Sequence, residues 1–151
     1  MKIFYLNREQ WVPRPLDEVF SFFADPGNLQ NITPPWLSFE ILPGENHEMR
    51  EGVFIDYRLR VHGFPVTWRS EITAWDPPHR FVDEQRRGPY RMWCHEHLFE
   101  DQGDRTLVGD RVRYAVPGGL LINRLFVARD VERIFDYRRE RLFVLFPQKQ
   151  V

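Results

Sequence analysis

Two histidines separated by one residue, His95 and His97 in MWCHEHLF, are the side chains best suited to chemistry in this chain. On a strand, residues two apart point to the same face, so the imidazoles are neighbours. A carboxylate bonded to one ring nitrogen fixes the tautomer and raises the basicity of the other, and strand pairing brings Asp110 to this face. Such a group can orient the polar end of a ligand or move a proton on it. It can also begin a metal site, but His-x-His with one carboxylate supplies three ligands and no further His or Cys is placed to complete the set. No metal and no cofactor is therefore expected. The third use of the same residues is a hydrogen-bonded patch that satisfies only itself, as buried polar groups require in any case.

The elements that must position these residues are strands. From Gly52 to Val116 the sequence runs in long period-two segments separated by turn residues, the pattern of an antiparallel meander. A two-residue turn at Gly63-Phe64 predicts Leu59 opposite Trp68, Tyr57 opposite Ser70 and Ile55 opposite Ile72, with all six on one face. Asp56, Arg58, Arg60, Arg69 and Glu71 then lie on the other, facing water. A turn at Gln102-Gly103 sets Phe99 against Thr106, His97 against Val108 and His95 against Asp110.

The last strand decides which face is inside. Thr106, Val108, Asp110, Val112 and Tyr114 alternate with Leu107, Gly109, Arg111 and Arg113, and the arginine-bearing side belongs in water. Trp93, His95, His97 and Phe99 must then point inward, with Met92, Cys94 and Leu98 on the opposite face. Around Arg87-Gly88-Pro89 two registers compete. A three-residue loop turns Phe81 and Asp83 inward, and a two-residue loop turns Val82 and Glu84 inward; the first is preferred because it buries Phe81.

Helices sit at the ends of the chain. Residues 3 to 11 read as a first strand, Leu16, Val19, Phe20 and Phe23 fall at helical spacing, and Pro34-Pro35 precede a short strand, SFEIL. After Pro117-Gly118-Gly119 the period becomes helical again. Residues 120 to 146 predict a helix of about 40 Å, matching strands of about 33 Å, with Leu121, Leu125, Ala128, Val131, Phe135 and Leu142 as its apolar stripe. This order argues for an α+β fold with helices gathered on one face of the sheet.

Composition narrows the class. A chain of 151 residues is the size of one domain, read here as spanning 1–151, and 42% apolar residues with 13 Phe and 5 Trp are too hydrophobic for disorder. Lys and Arg number 21 against 22 Asp and Glu, so a net charge of −1 provides no field for nucleic acid. The N-terminus turns polar too early for a signal peptide, no run is long enough to span a membrane, and the single Cys94 excludes an internal disulfide. A cytoplasmic protein is expected.

Three stretches, PLDEVFSFFADPGNLQNITPPW, GPYRMWCHEHLF and the run from Asp110 through VRYAVPGG to IFDYRRE, resemble bacterial ligand-binding domains of the START-like (SRPBCC) superfamily, which includes polyketide cyclase/dehydrase-like proteins. The resemblance covers essentially the whole chain. It implies a helix-grip fold, a curved antiparallel sheet wrapped around a long C-terminal helix, with a cavity for a small, largely apolar ligand. Tyr57, Trp68, Trp93, Phe99, Tyr114 and Phe135 are then the expected aromatic wall, and Asp83, His95, His97 and Asp110 the polar centre. Three functions remain open: a binding module, a cyclase/dehydratase-type enzyme using His95, His97 and Asp110 for proton transfer, and an interaction domain, such as a homodimer, using the Met92, Cys94 and Leu98 face.

Overall fold

Alternating apolar and polar residues carry most of the chain into strands, and their pairing builds one wall of the molecule. The computed structural model describes residues 1–43 and 48–148. In chain order it holds β1 (Phe4–Val12), α1 (Leu16–Phe23), 3-10 turns at Pro26–Ile32 and Pro35–Leu37, and then β2 (Glu40–Ile41). The meander follows as β3 (Phe54–Val61), β4 (Phe64–Asp76), β5 (Arg80–Arg87), β6 (Met92–Asp101) and β7 (Thr106–Ala115). The C-terminal helical run comprises α2 (Gly119–Ile122), a π-helical segment (Asn123–Val127) and α3 (Ala128–Leu145).

All neighbouring strands are antiparallel, in the order β1-β7-β6-β5-β4-β3-β2. With the long helix against its inner face, this is the expected α+β helix-grip architecture. The inner side of β7 is the predicted one: Thr106, Val108, Asp110, Val112 and Tyr114 are buried, while Arg111 and Arg113 are exposed. His95 and His97 point inward with them, at 5% and 6% exposure.

Two hairpin registers differ from expectation by two residues. The β3–β4 turn uses His62 and Gly63, which pairs Tyr57 with Trp68, Leu59 with Val66 and Ile55 with Ser70. Both turn residues have positive φ, 50° and 82°, the combination a type I′ turn needs to match strand twist. Between β6 and β7 the loop is Gln102–Arg105, with Asp101 opposite Thr106. There the Asp101 carboxylate accepts from Gly103 N at 2.9 Å and Gln102 N donates to Arg105 O at 3.0 Å, closing a wider turn. His97, and not His95, therefore lies directly opposite Asp110, and His95 opposite Val112. A shift of two preserves the face of every side chain, so the inward assignments survive both corrections. Asp56 and Arg69, on the water-facing side as expected, lie opposite each other and form an ion pair at 2.8 Å.

The β5–β6 hairpin is displaced likewise: Phe81 lies opposite His97 and Asp83 opposite His95, two residues from the pairing of a three-residue loop at Arg87-Gly88-Pro89, while both side chains keep the favoured inward face. A bulge in β4 leaves Thr73 unpaired between Ile72 and Ala74. Strand parity changes there, so Trp75 joins Phe20 and Phe81 at ring-centroid distances of 5.4 Å each.

The helical stripe needs a correction. Leu121 and Leu125 are 64% and 56% exposed, and the inner positions are Ile122, Val127, Val131, Phe135 and Leu142. The π-helical segment inserts one extra residue, which moves the inner position from 121 to 122. Asn123 is buried within that turn, where its Oδ1 accepts from the Tyr114 hydroxyl at 2.9 Å. Neither Asp130 nor Asp136 turns to a helical neighbour: Asp130 bonds His62 at 2.6 Å and Asp136 bonds Arg8 at 2.7 Å, so α3 is tied to the β3–β4 hairpin on one side and to β1 on the other.

Candidate functional site

Between the sheet and α3, the inward side chains do not fill the space they enclose. A cavity of about 750 Å³ remains, walled by residues of β3 to β6, the 3-10 turns and the C-terminal helix. One end is packed solid by Phe20, Phe23, Phe81 and Phe99 together with Leu142 and Phe146. Toward the other, Tyr57 stacks on Trp68 at 5.9 Å and Trp68 meets Trp93 edge-on at 5.7 Å. Ser70 accepts from Trp68 Nε1 at 3.0 Å and lies 2.9 Å from the Tyr57 hydroxyl, so the polar tips of these two aromatics are satisfied within the wall.

The polar centre comes from β5, β6, β7 and α3. Phe81, His97 and His95 form a stack, with centroids 4.1 Å and 3.7 Å apart. Its end is closed by edge-on contacts of His95 with Phe135 at 5.5 Å and Trp93 at 6.4 Å. Nε2 of His95 lies 2.7 Å from Oδ1 of Asp110, and Nε2 of His97 lies 2.6 Å from Oδ2 of Asp83. An ionised carboxylate only accepts, so each ring donates from Nε2. A second group also reaches Asp110. The Arg138 guanidinium, buried on α3, donates to Oδ1 at 3.2 Å while lying over the rings of Phe23 and Phe135.

These contacts set the charges. Burial pushes Asp110 up, but the positive charge of Arg138 and the His95 hydrogen bond outweigh it and hold the carboxyl well below the usual range. Asp83 is likewise pushed up by burial and brought below its ordinary value chiefly by the bond from His97. Burial, with the neighbouring His95, lowers His97 to about 4, so this imidazole is neutral at neutral pH. Burial also raises the Tyr57 and Tyr90 hydroxyls, which stay protonated.

Asp83, His95 and His97 bring their donor atoms within 4.8 Å of one another, the spacing of a metal-ligand set. Their orientation does not suit an ion, because the two rings stack with planes 24° apart. Lone pairs lie in the ring planes, so those of His95 and His97 run side by side and do not converge on a common point.

Of the residues expected to face a ligand, Tyr57, Trp68, Asp83, Trp93, His95, His97 and Phe135 line the cavity. Phe99 sits in the phenylalanine cluster, Tyr114 packs against Phe4 and Trp93, and Asp110 stands behind His95 and Arg138. Arg138 was not among the expected residues, although its place three after Phe135 and four before Leu142 puts it on the buried stripe. On the opposite face of β6, Cys94 is buried and contacted by Arg113 at 3.4 Å, and Met92 and Leu98 are half-buried.

This arrangement of sheet, helix and cavity has relatives. The family model for polyketide cyclase/dehydrase and lipid transport proteins matches residues 12–142. The chain belongs to that family. Among solved structures, the ZhuI aromatase/cyclase from Streptomyces sp. R1128 is 19% identical with a TM-score of 0.72, covering 95% of this chain and 93% of that one. The ginseng major latex-like protein 151 from Panax ginseng is 14% identical with a TM-score of 0.70, covering 97% and 99%. Norcoclaurine synthase from Thalictrum flavum is 15% identical with a TM-score of 0.67, covering 95% and 96%. At these identities the likeness is one of fold. No curated protein matches the sequence. Among the described residues of this polyketide cyclase/dehydrase-family chain, no helix is long and apolar enough to cross a membrane.

Proposed function

We propose that this chain acts as one domain that holds a small, largely apolar ligand of lipid, polyketide or aromatic type in the cavity under α3. The observation that carries this reading is the 750 Å³ space itself, because protein interiors otherwise close-pack and voids larger than a water molecule are few. Its size is that of small-molecule pockets, and a mostly aromatic lining with a few convergent polar groups is their usual chemistry. The family supports the same reading, and the lone buried thiol agrees with the reducing cytoplasm. Because Trp68 and Trp93 line the cavity, a bound ligand changes their emission. The test is a screen of fatty acids, aromatic polyketides and fused-ring compounds by tryptophan fluorescence and melting temperature. A saturable shift with a member of these classes is expected; no shift across all of them overturns the reading.

The His95–Asp110 pair favours a second reading, proton transfer on a bound carbonyl compound. With Nε2 held by Asp110, Nδ1 is the nitrogen of this cavity-lining ring that is left to exchange a proton with a ligand. On this reading His95→Ala abolishes turnover of a ketide substrate while its binding persists. Equal activity in the variant excludes it.

A further inference from the structure

Arg138 is a buried cation that the protein uses only in part. Its side chain is 9% exposed and lines the cavity, and Nη2 donates to Oδ1 of Asp110 at 3.2 Å. Nε has no partner and is wholly covered. Nη1 also lacks a bond among the described residues but is not covered, which leaves it as the donor a bound molecule can reach. Unmet N–H groups in a buried setting are costly, and most of all on a charged side chain. A guanidinium only donates, so the group that completes it must accept. The space of about 10 Å³ that Arg138 borders beside β1 has room for a single water, so a ligand comes to the guanidinium from the large cavity.

Charge decides what kind of acceptor fits. Among the described residues, Asp25, Asp83 and Asp130 line the cavity with Asp110 behind it, against the guanidiniums of Arg133 and Arg138. Arg133 stands on the exposed side, over the Trp36 ring at 4.9 Å, where water screens it. Even with His62 and His95 both protonated the sum is not positive, and His97, held at about 4, is neutral at neutral pH. A ligand carboxylate would therefore enter a site with no spare positive charge, beside the carboxylate that Arg138 already serves. A ligand ammonium has no lone pair to offer Arg138. A neutral oxygen acceptor meets the donor and brings no charge.

We propose that Arg138 is the residue that orients the ligand, and that the cavity selects molecules in which an apolar ring system carries a neutral carbonyl whose oxygen is received by Nη1. The donor is charged, which makes this bond stronger than one between neutral groups. The ring system extends from there into the space walled by Tyr57, Trp68 and Trp93. Tyr57, Ser70 and Trp68 use their polar atoms on one another, so that end of the cavity holds the apolar body and not the head. This rests on the reading of the cavity as a ligand site, and it names the head group that site takes and the side chain that holds it.

Four probes on one naphthalene body test it, titrated calorimetrically into the full chain at neutral pH: acetylnaphthalene, isopropenylnaphthalene, naphthoate and naphthylethylamine. The first two share a shape, and only the ketone has an oxygen to accept. The ketone is expected to bind about tenfold or more tightly than the alkene, the size of one hydrogen bond to a charged group, and more tightly than the acid or the amine. Its infrared carbonyl stretch is expected to fall on binding. In Arg138→Met combined with Asp110→Asn, which strands no carboxylate, the ketone and the alkene are expected to bind alike and the stretch to lose its shift. If the wild-type chain binds the alkene as well as the ketone, or the acid or amine more tightly, the head-group assignment is overturned while the cavity reading stands. If none of the four binds, both fail. The decisive comparison uses the wild-type chain, so it does not depend on the variant folding.

Discussion

Replacing Arg138 by methionine tests the account of the buried centre most directly. The substitution keeps an unbranched side chain to pack over Phe23 and Phe135, and removes the charge 3.2 Å from Oδ1 of Asp110. Both partners are buried, with side chains 9% and 10% exposed. Asp110 then keeps His95 as its donor but loses its counterion, and breaking one side of a buried pair costs about 3–5 kcal/mol. Coulomb's law gives a similar figure, about 4 kcal/mol for unit charges about 4 Å apart at an effective dielectric constant of about 20. For a chain of this size the loss lowers the melting temperature by roughly 6–20 °C. Circular-dichroism melts and urea titrations read it. Adding Asp110→Asn to Arg138→Met removes the stranded charge yet leaves an oxygen to accept from His95, so the double variant is expected to be more stable than Arg138→Met alone. A loss under about 1 kcal/mol, the range of an exposed pair, or a double variant no better than the single, refutes the reasoning.

Other outcomes follow from the same geometry. His97 has its pKa depressed to about 4, so as pH falls below the unfolded value of 6.5 the unfolded chain takes up a proton that the folded chain refuses. Stability therefore declines from about pH 6.5 toward pH 4 by roughly 3 kcal/mol, and His97→Gln flattens this part of the urea-measured pH profile. Below that window Asp83 and Asp110, both depressed, begin to protonate and lower stability further. Phe99→Ala empties a site packed by Phe20 and Phe23, each 5.3 Å away, and is expected to cost about 3–5 kcal/mol in urea titrations while leaving ligand affinity in place. Gly63 sits at φ 82° with open space around it, so Gly63→Ala costs about 1 kcal/mol from backbone strain alone, read as a small drop in melting temperature.

The faces of the strands were legible in the sequence because strand periodicity is two, and a turn that misplaces a hairpin by two residues returns every side chain to its side. The inward face of Asp110 follows from Arg111 and Arg113, which cannot be buried without partners, and an even-length β6–β7 turn then carries His95 and His97 to the same face. The pairings across strands were not legible, because turn length depends on which residues accept positive φ and on a side chain, Asp101, bonding back to the loop. In the first hairpin His62 takes a left-handed conformation that its residue type does not announce. The helix showed its length but not its phase, since the extra residue near Asn123 leaves no mark on composition. Arg138 was hidden for a related reason: a charged residue on a surface-like run of arginines reads as solvated until Asp110 is known to lie beneath it. The cavity was the least legible feature, as alternation shows which side chains point inward and not whether they meet.

The wide turn at Asn123–Val127 has a consequence for how the chain can change. The turn holds one residue more than an α-helix would use to connect Ile122 to Val127 on the same side. Loss of an exposed residue such as Arg124 lets the helix close to regular geometry, with Val131, Phe135 and Arg138 unmoved and Ile122 still facing inward. Elsewhere in α3 a deletion rotates everything before it by about 100° and pulls the stripe off the sheet. The helix over the cavity thus carries one position where its length can vary without disturbing the wall it forms.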